Sequence, residues 1–282
     1  MLTFIKKSMP LKIVLALIVI LAVLMTVFSY VLVERRATEL QEVMLTKART
    51  LALFGAKAME QVLEEAIDSG TLTREQVFDS NYQLITEGPL AKAAIPKYHT
   101  AYDTFLDRNI LKIEDTLVEE DSMVVFAALV DRKGYLPTHN SKYSLPLTGD
   151  AEKDKVGNRT KRLFNDPVGL AAGQYDGKDG NKILRQVYKR DTGETMWDIA
   201  APVYVKGQHW GGFRIGFSIQ QMEQAIAALR VEIGLAMLIL LLVASATIYV
   251  VVRILTGPLR LLTAAAGRVA DGRLDEVITV RS

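Results

Sequence analysis

Two stretches without a charged residue constrain this chain more than any other feature of its sequence. Residues 13–33 and 233–252 consist mostly of isoleucine, leucine, valine and alanine, and each is about 20 residues long. A helix of that length crosses a hydrocarbon layer of roughly 30 Å, and helices of soluble proteins are rarely apolar on every side. The sequence therefore predicts two transmembrane helices, with residues 1–12, 34–232 and 253–282 outside the hydrocarbon.

The distribution of basic residues predicts the orientation of these helices. Basic side chains precede the first stretch and follow the second, at Lys6, Lys7, Lys12, Arg253, Arg260 and Arg268. Because basic residues accumulate on the cytoplasmic side of membranes, we expect both termini in the cytoplasm and residues 34–232 outside it. Arg35, Arg36 and Arg230 oppose this bias. No small-x-small cleavage pattern follows residue 33, so we interpret the first stretch as a retained anchor.

Composition argues against several functions. The formal net charge is +2 and there is no long basic run, so nucleic acid is not an expected partner. Cysteine is absent, which excludes disulfides, thiolate metal sites and covalently attached haem. No P-loop, G-x-S-x-G or H-E-x-x-H motif is present, and we do not expect an enzyme.

The segment between the apolar stretches reads as helices followed by strands. Apolar or small residues recur at helical spacing from Leu40 to Ala66, which predicts a long helix. Thr73 with Gln76 predicts a capped second helix, and residues 98–120 a third. Strands are predicted at residues 123–130, 183–189, 196–205 and 208–218, the last two joined by a turn at Lys206-Gly207. This pattern predicts an α+β fold with an antiparallel sheet and a long flanking helix.

The arrangement of these segments resembles a single Cache domain, a PAS-like extracytoplasmic sensor of bacterial receptors. Residues 202–216 (PVYVKGQHWGGFRIG), which lead into the second apolar stretch, carry the resemblance. Residues 131–140, 158–162 and 190–194 are similar to segments of methyl-accepting chemotaxis proteins. The resemblance implies a multi-pass receptor of the bacterial inner membrane that binds a small extracytoplasmic molecule, with no resident cofactor.

Residues 253–282 resemble the beginning of a HAMP domain. Gly257-Pro258-Leu259 is predicted to open an amphipathic helix, and residues 271–274 and 277–280 look like its connector. A HAMP domain is a parallel four-helix bundle with two helices from each subunit, so we expect a partial, truncated domain here. The resemblance implies a homodimer, with cytoplasmic signalling partners reached through an output domain that is missing from this chain. Chemotaxis is the first expectation for the pathway, and a sensor histidine kinase or cyclase is the alternative.

Alternation along the last predicted strand separates two faces. One face carries His209, Phe213, Ile215 and Phe217, and the other carries Trp210, Gly212, Arg214, Gly216 and Ser218. We expect the first face to pack against the long helix. The second face combines two glycines with Trp210 and Arg214, which predicts a concavity with a donor fork for a carboxylate, as in an organic acid or amino acid.

Other residues complete the predicted ligand-binding set. By strand alternation, Asp198 and Tyr204 lie on the same face of the predicted strand 196–205, which pairs with the last strand. Asp198 would orient Arg214 or bind an ammonium group. An internal Arg214–Asp198 pair with only a structural role is the alternative. Tyr135 and His139 in the 131–140 segment, and Arg159 in a basic cluster with Lys161 and Arg162, are further candidates. Two other hypotheses remain open: non-covalent haem or gas binding through His99 or His139, and a membrane tether without a ligand.

Overall fold

The structure is a computed structural model that describes residues 9–190 and 193–270. The helices are α1 Met9–Asp68, α2 Arg74–Val77, α3 Asp103–Asn109, α4 Leu111–Glu119, α5 Ala151–Gly157, α6 Pro167–Gln174 and α7 Ile219–Ala270. The strands are β1 Gln83–Leu84, β2 Tyr98–His99, β3 Val124–Asp131, β4 Tyr135–Leu136, β5 Arg162–Leu163, β6 Leu184–Lys189, β7 Thr195–Val205 and β8 Gln208–Ser218. Short 3₁₀ turns lie at Pro89–Lys92 and Ser141–Tyr143.

The described residues divide into two compact units, residues 40–225 and residues 9–39 with 226–270. The second of these consists of parts of α1 and α7, and both helices are long and apolar enough to cross a membrane. The prediction of a new helix at Gly257-Pro258-Leu259 is wrong, because α7 continues through Pro258. The predicted connector at 271–274 and 277–280 lies outside the described residues. Membrane anchoring and the HAMP domain stay predictions.

A four-stranded antiparallel sheet with strand order β3-β8-β7-β6 forms the centre of the 40–225 unit. The predicted turn joins β7 to β8, with Lys206 and Gly207 both at positive φ (50° and 76°), as a two-residue hairpin turn with the right twist requires. The predicted strands and the α+β class are therefore confirmed. Two small sheets, β1-β2 and β4-β5, were not predicted, since two-residue strands leave no periodic signal.

One face of the sheet packs against α1. Ala48, Ala52, Ala56, Met59 and Leu63 recur at helical spacing and share a core with Phe213, Ile215 and Phe217 of β8, as predicted. The helix approaches β8 closely at Gly55, where an added Cβ would lie 2.1 Å from a ring carbon of Phe213. Small residues on the helix therefore let its backbone lie over the phenylalanine rings.

The predicted helix over residues 98–120 is two helices. Tyr98 and His99 belong to β2, and Ile110 separates α3 from α4. Thr73 and Gln76 form the predicted capping box at the start of α2. The residues between β4 and β6 contain α5, β5 and α6. β5 and the loops on either side of it contribute residues to the site described next.

Candidate functional site

A cavity of about 290 Å³ lies on the sheet face opposite α1, close to the lower end of the size range of small-molecule sites. β3, β4, β5, β6 and β8 and the loops beside them contribute its walls. The apolar part of the lining is Phe126, Ala128, Leu136, Phe164 and Tyr188. The polar part is His139, Arg159, Arg162, Asp166, Lys189, Arg190 and Arg214.

Arg214 is fixed at this cavity by a buried carboxylate. Its Nη2 lies 2.9 Å from Oδ2 of Asp198, and its Nε lies 3.2 Å from Oδ1. Asp198 is fully buried and accepts a further hydrogen bond from Gln186. Burial opposes the charge of Arg214, but attraction to Asp198 outweighs it and raises the pKa of the guanidinium. Arg214 is therefore a preorganised cation, with one edge of its guanidinium group, formed by Nε and Nη2, occupied by Asp198.

Gly212 and Gly216 of β8 do not form the predicted concavity. A Cβ at Gly212 would lie 2.3 Å from the Ala172 carbonyl oxygen, so this position accommodates α6. A Cβ at Gly216 would lie 2.3 Å from the ring of Phe126, its partner on β3. The Arg214 guanidinium lies 5.6 Å from the centre of that ring. The glycines thus admit α6 and Phe126, and the cavity opens beyond them.

Two further arginines reach the cavity from the 158–162 segment, which joins α5 to β5. Arg159 donates from Nε to the Val156 carbonyl oxygen, and Arg162 donates from Nη1 to that of Lys155. Arg162 also lies over the ring of Phe164, 4.8 Å from its centre. The C-terminal turn of α5, where carbonyl groups lack helical partners, thus helps to orient both guanidinium groups.

Arg190 comes from the opposite wall, just after β6. Its Nη1 donates to the Tyr143 hydroxyl group (3.1 Å), and its guanidinium lies 4.8 Å from the centre of the same ring. Its Nη1 also forms an ion pair with Glu194, 3.7 Å from Oε2. The side chain is 4 % exposed, and its Nε is buried without a hydrogen-bond partner among the described residues. A buried donor without a partner is costly, so Arg190 has hydrogen-bonding capacity that a bound acceptor would use.

Among the described residues that line the cavity, five basic side chains accompany one carboxylate, that of Asp166. Asp166 is itself engaged as the N-cap of α6, where it accepts from the Val168 and Gly169 amides. Burial, and then the charges of Arg159, Arg190 and Arg214, lower the pKa of His139 well below 6.5. His139 is therefore neutral at pH 7. Basic side chains outnumber carboxylates in the described lining, and behind it Arg214 pairs with Asp198 and Arg190 with Glu194.

Three of the seven predicted site residues line this cavity: Arg214, His139 and Arg159. Asp198 lies behind Arg214. The prediction that Trp210 shares the Arg214 cavity is wrong: Trp210 packs against Tyr102 and donates from Nε1 to the Val77 carbonyl oxygen. The cause is a bulge, because Val203 pairs with Gly211 and Tyr204 with His209, which leaves Trp210 without an opposite residue and breaks the alternation.

Tyr204 and Tyr135 also lie away from the cavity. Tyr204 donates to the Asp176 carbonyl oxygen and stacks on His209 beyond the bulge. Tyr135 is fully buried beside Tyr82 and Tyr102, and its hydroxyl group donates to the Tyr98 carbonyl oxygen. Both tyrosines stabilise the fold near the C-terminal ends of β3 and β7.

Sequence reasoning missed Lys189, Arg190 and Tyr188 as site residues. A signal was present, since Gln186 pairs with Asp198 and Tyr188 follows at strand spacing on the same face. Arg162 belonged to the predicted basic cluster and lines the cavity. Lys161 of that cluster turns away, because its left-handed backbone (φ 57°) directs it to Asp103 and Asp107.

The hypothesis of haem or gas binding through His99 or His139 finds little support in the described residues. His139 accepts the Asn140 amide at Nδ1, and His99 lies elsewhere, with its Nδ1 2.7 Å from Asp103. No group of three or more histidine, aspartate or glutamate side chains among residues 9–190 and 193–270 could hold a metal ion.

Comparison with known proteins gives sensory domains as structural neighbours. No protein-family model matches the chain, and no curated protein matches it. The sensor domain of the histidine kinase DctB of V. cholerae is similar to it with a TM-score of 0.42, 13 % identity and coverage of 72 % of this chain and 59 % of that one. The sensory domain of the Campylobacter jejuni chemoreceptor Tlp3 with isoleucine bound has a TM-score of 0.31 and 14 % identity, with coverage of 68 % of this chain and 66 % of that one. An extracellular ligand binding receptor from Desulfohalobium retbaense has a TM-score of 0.31 and 13 % identity, with coverage of 66 % of this chain and 27 % of that one.

The chain thus spans between 27 % and 66 % of the length of these three proteins. TM-scores below 0.5 do not establish a common fold, so these similarities support neither a ligand nor a pathway for this chain.

Proposed function

We propose that this chain is the input half of a bacterial membrane receptor whose 34–232 domain binds a small organic anion outside the cytoplasm. The observation that carries the proposal is the basic cavity around Arg214, whose described lining has five basic side chains and one carboxylate, which caps α6. Guanidinium groups match carboxylates in geometry and charge, and they are held here on strands and on a short, hydrogen-bonded segment. The two apolar helices support membrane anchoring by length and composition.

Within this proposal, an organic acid fits better than an amino acid. An ammonium group would need a carboxylate that is available to it. Asp198 is fully buried and accepts from Arg214 and Gln186, and Asp166 caps α6. Asp198 therefore orients Arg214, and the described lining offers no available carboxylate to pair with the ammonium group of an amino acid.

A melting screen tests the proposal. The full chain in lipid nanodiscs is heated with acetate, lactate, pyruvate, succinate or malate, and unfolding is followed by tryptophan fluorescence. Both tryptophans, Trp197 and Trp210, lie in the 40–225 unit, so the signal reports on that unit. At about 100 Kd a ligand stabilises by ~2.7 kcal/mol, which in a domain of this size corresponds to roughly 5–10 °C.

Arg190→Gln should abolish the shift, because it removes the unpartnered donor and one charge from the cavity. Arg185→Gln is the matched control: Arg185 lies on β6, is exposed, and is not part of the lining. A loss of response in Arg190→Gln alone supports the proposal. No shift with any of the five carboxylates, or equal shifts in both variants, would contradict it.

We also propose that the receptor is a homodimer and that chemotaxis is its pathway, with a sensor kinase or cyclase as the alternative. α1 exposes Val43 and Phe54, each more than 60 % accessible, and an exposed apolar stripe on a helix favours association. Disulfide trapping of Val43→Cys in membranes should yield dimers, whereas Arg49→Cys, on another side of the helix, should not. Sequencing the gene beyond the codon for Ser282 would distinguish the pathways.

A further inference from the structure

Lys97 is a buried lysine whose three hydrogen bonds all go to the 158–162 segment. The residue is 2 % exposed. Its Nζ lies 2.8 Å from the carbonyl oxygen of Asn158, 2.5 Å from Oδ1 of the same residue, and 2.8 Å from the carbonyl oxygen of Thr160. An ammonium group has three donors, so the protonated form of Lys97 satisfies all three contacts at once.

The two carbonyl groups that Lys97 holds flank Arg159. Other anchors of the segment include backbone hydrogen bonds, from the Arg159 amide to Tyr143 (2.6 Å) and from the Lys161 amide to Leu136 (2.8 Å). Side chains also contribute, through the Asn158 amide group on the Leu145 carbonyl oxygen and the ion pairs of Lys161 with Asp103 and Asp107. Arg159 and Arg162 project from this segment into the cavity. Lys97 thus contacts the backbone that carries two of the cavity's four arginines.

The charges that face Lys97 are mostly positive. Burial, followed by the nearby charge of Arg162, lowers the pKa of Lys97 to about 7; Arg159 and Lys161 act in the same direction, and Asp154 on α5 opposes them. An anion bound between Arg159 and Arg162 would offset this repulsion and favour the protonated form.

We propose that Lys97 is a positioning residue for the anion cavity: its ammonium group holds the 158–162 segment so that Arg159 and Arg162 face the ligand. This inference rests on the function proposed above. It implies that protonation of Lys97 and binding of the anion favour each other, because each is stabilised by the same arrangement of the segment.

The coupling predicts a pH dependence with a defined sign. As the pH rises from 6.5 to 8.5, Lys97 loses its proton, one donor and one positive charge are lost, and the affinity for a carboxylate should fall about fivefold. Arginine does not titrate in this range, the carboxylate probes are already ionised, and His139 stays neutral because its pKa lies well below 6.5.

The test uses the full chain in nanodiscs, titrated with acetate, lactate, pyruvate, succinate and malate at both pH values. Lys97→Met should bind about tenfold more weakly than the wild type at pH 6.5 and should lose the pH dependence. Lys92→Met is the matched control, since Lys92 precedes Lys97 in the same loop, is exposed, and is not part of the lining. Hydrogen exchange at the amides of residues 158–162 should be faster in Lys97→Met and unchanged in Lys92→Met.

Each result decides the inference. Unchanged hydrogen exchange at residues 158–162 in Lys97→Met would overturn the inference, and this result needs no ligand. Faster exchange with an unaltered affinity for the carboxylates would also overturn it. The wild-type pH titration needs no variant, and a flat profile would count against the coupling even if Lys97→Met failed to fold. If the wild type bound none of the five carboxylates, the proposed function would fail, and the role of Lys97 in the cavity with it.

Discussion

The Arg214–Asp198 pair supports both the fold and the proposed binding site, and paired substitutions can separate the two roles. Asp198 is fully buried, Arg214 is 5 % exposed, and their contacts are 2.9 to 3.3 Å long. Arg214→Met would leave an unpaired buried carboxylate, and Asp198→Leu an unpaired guanidinium. Each single variant should therefore lose about 3–5 kcal/mol of stability.

The double variant Arg214→Met/Asp198→Leu removes both charges at once. Replacement of a buried ion pair by apolar residues of similar volume is often neutral or stabilising, so we expect its stability to lie within about 1 kcal/mol of the wild type. Because the preorganised cation is gone, carboxylates should no longer raise its melting temperature. Arg214→Met alone cannot give this information, since loss of stability and loss of binding would coincide.

The assay is thermal and urea unfolding of the four proteins in nanodiscs, followed by tryptophan fluorescence with and without carboxylate. From the four stabilities, a double-mutant cycle gives the coupling energy of the pair. Single variants that lose less than about 1 kcal/mol would refute the argument that the pair is desolvated and mutually dependent. A double variant that still responds to carboxylate would show that Arg214 is not a ligand contact.

Three other predictions follow from the structure. Gly55→Ala should cost about 1–3 kcal/mol in unfolding experiments, because the added methyl group would overlap the ring of Phe213 in a packed core. Burial raises the pKa of Glu114 well above its ordinary value of 4.5. The contribution of protonated Glu114 to stability is therefore present below pH 4.5 and is lost as the pH rises through its pKa in the folded state. In melting experiments from pH 4 to 8, Glu114→Gln should not show this loss. Since the chain has no cysteine, Lys178→Cys should react with an impermeant maleimide in intact cells and Lys12→Cys only after permeabilisation, and the reverse pattern would contradict the orientation.

Much of the central sheet could be predicted from the sequence, because its strands are long and bounded by clear turns. Residues 124–131 are buried on both faces, and residues 124–130 appear in the sequence as an uninterrupted apolar run. The face of β8 that packs on α1 was predictable from alternation alone. The apolar helices α1 and α7 were equally clear from composition, although the continuation of α7 through Pro258 was not.

The candidate site was only partly predictable, for two physical reasons. Alternation fails across a bulge, so the argument that placed Trp210 beside Arg214 also failed. The remaining walls come from segments that are distant along the chain, at residues 158–162 and 190, and single-sequence periodicity contains no information on such contacts. Arg159 could be predicted as an anion-binding candidate from its basic neighbours, whereas the role of Lys97 depends on contacts that only the fold creates.

Isothermal titration calorimetry of the full chain in nanodiscs tests the central claim most directly. With acetate, lactate, pyruvate, succinate and malate as titrants, we predict saturable binding of at least one carboxylate at one site per chain. This binding should be lost in Arg190→Gln and in Arg214→Met/Asp198→Leu and retained in Arg185→Gln. Absence of binding heat with all five carboxylates, or binding that persists in both cavity variants, would contradict the assignment of the basic cavity as the sensory site.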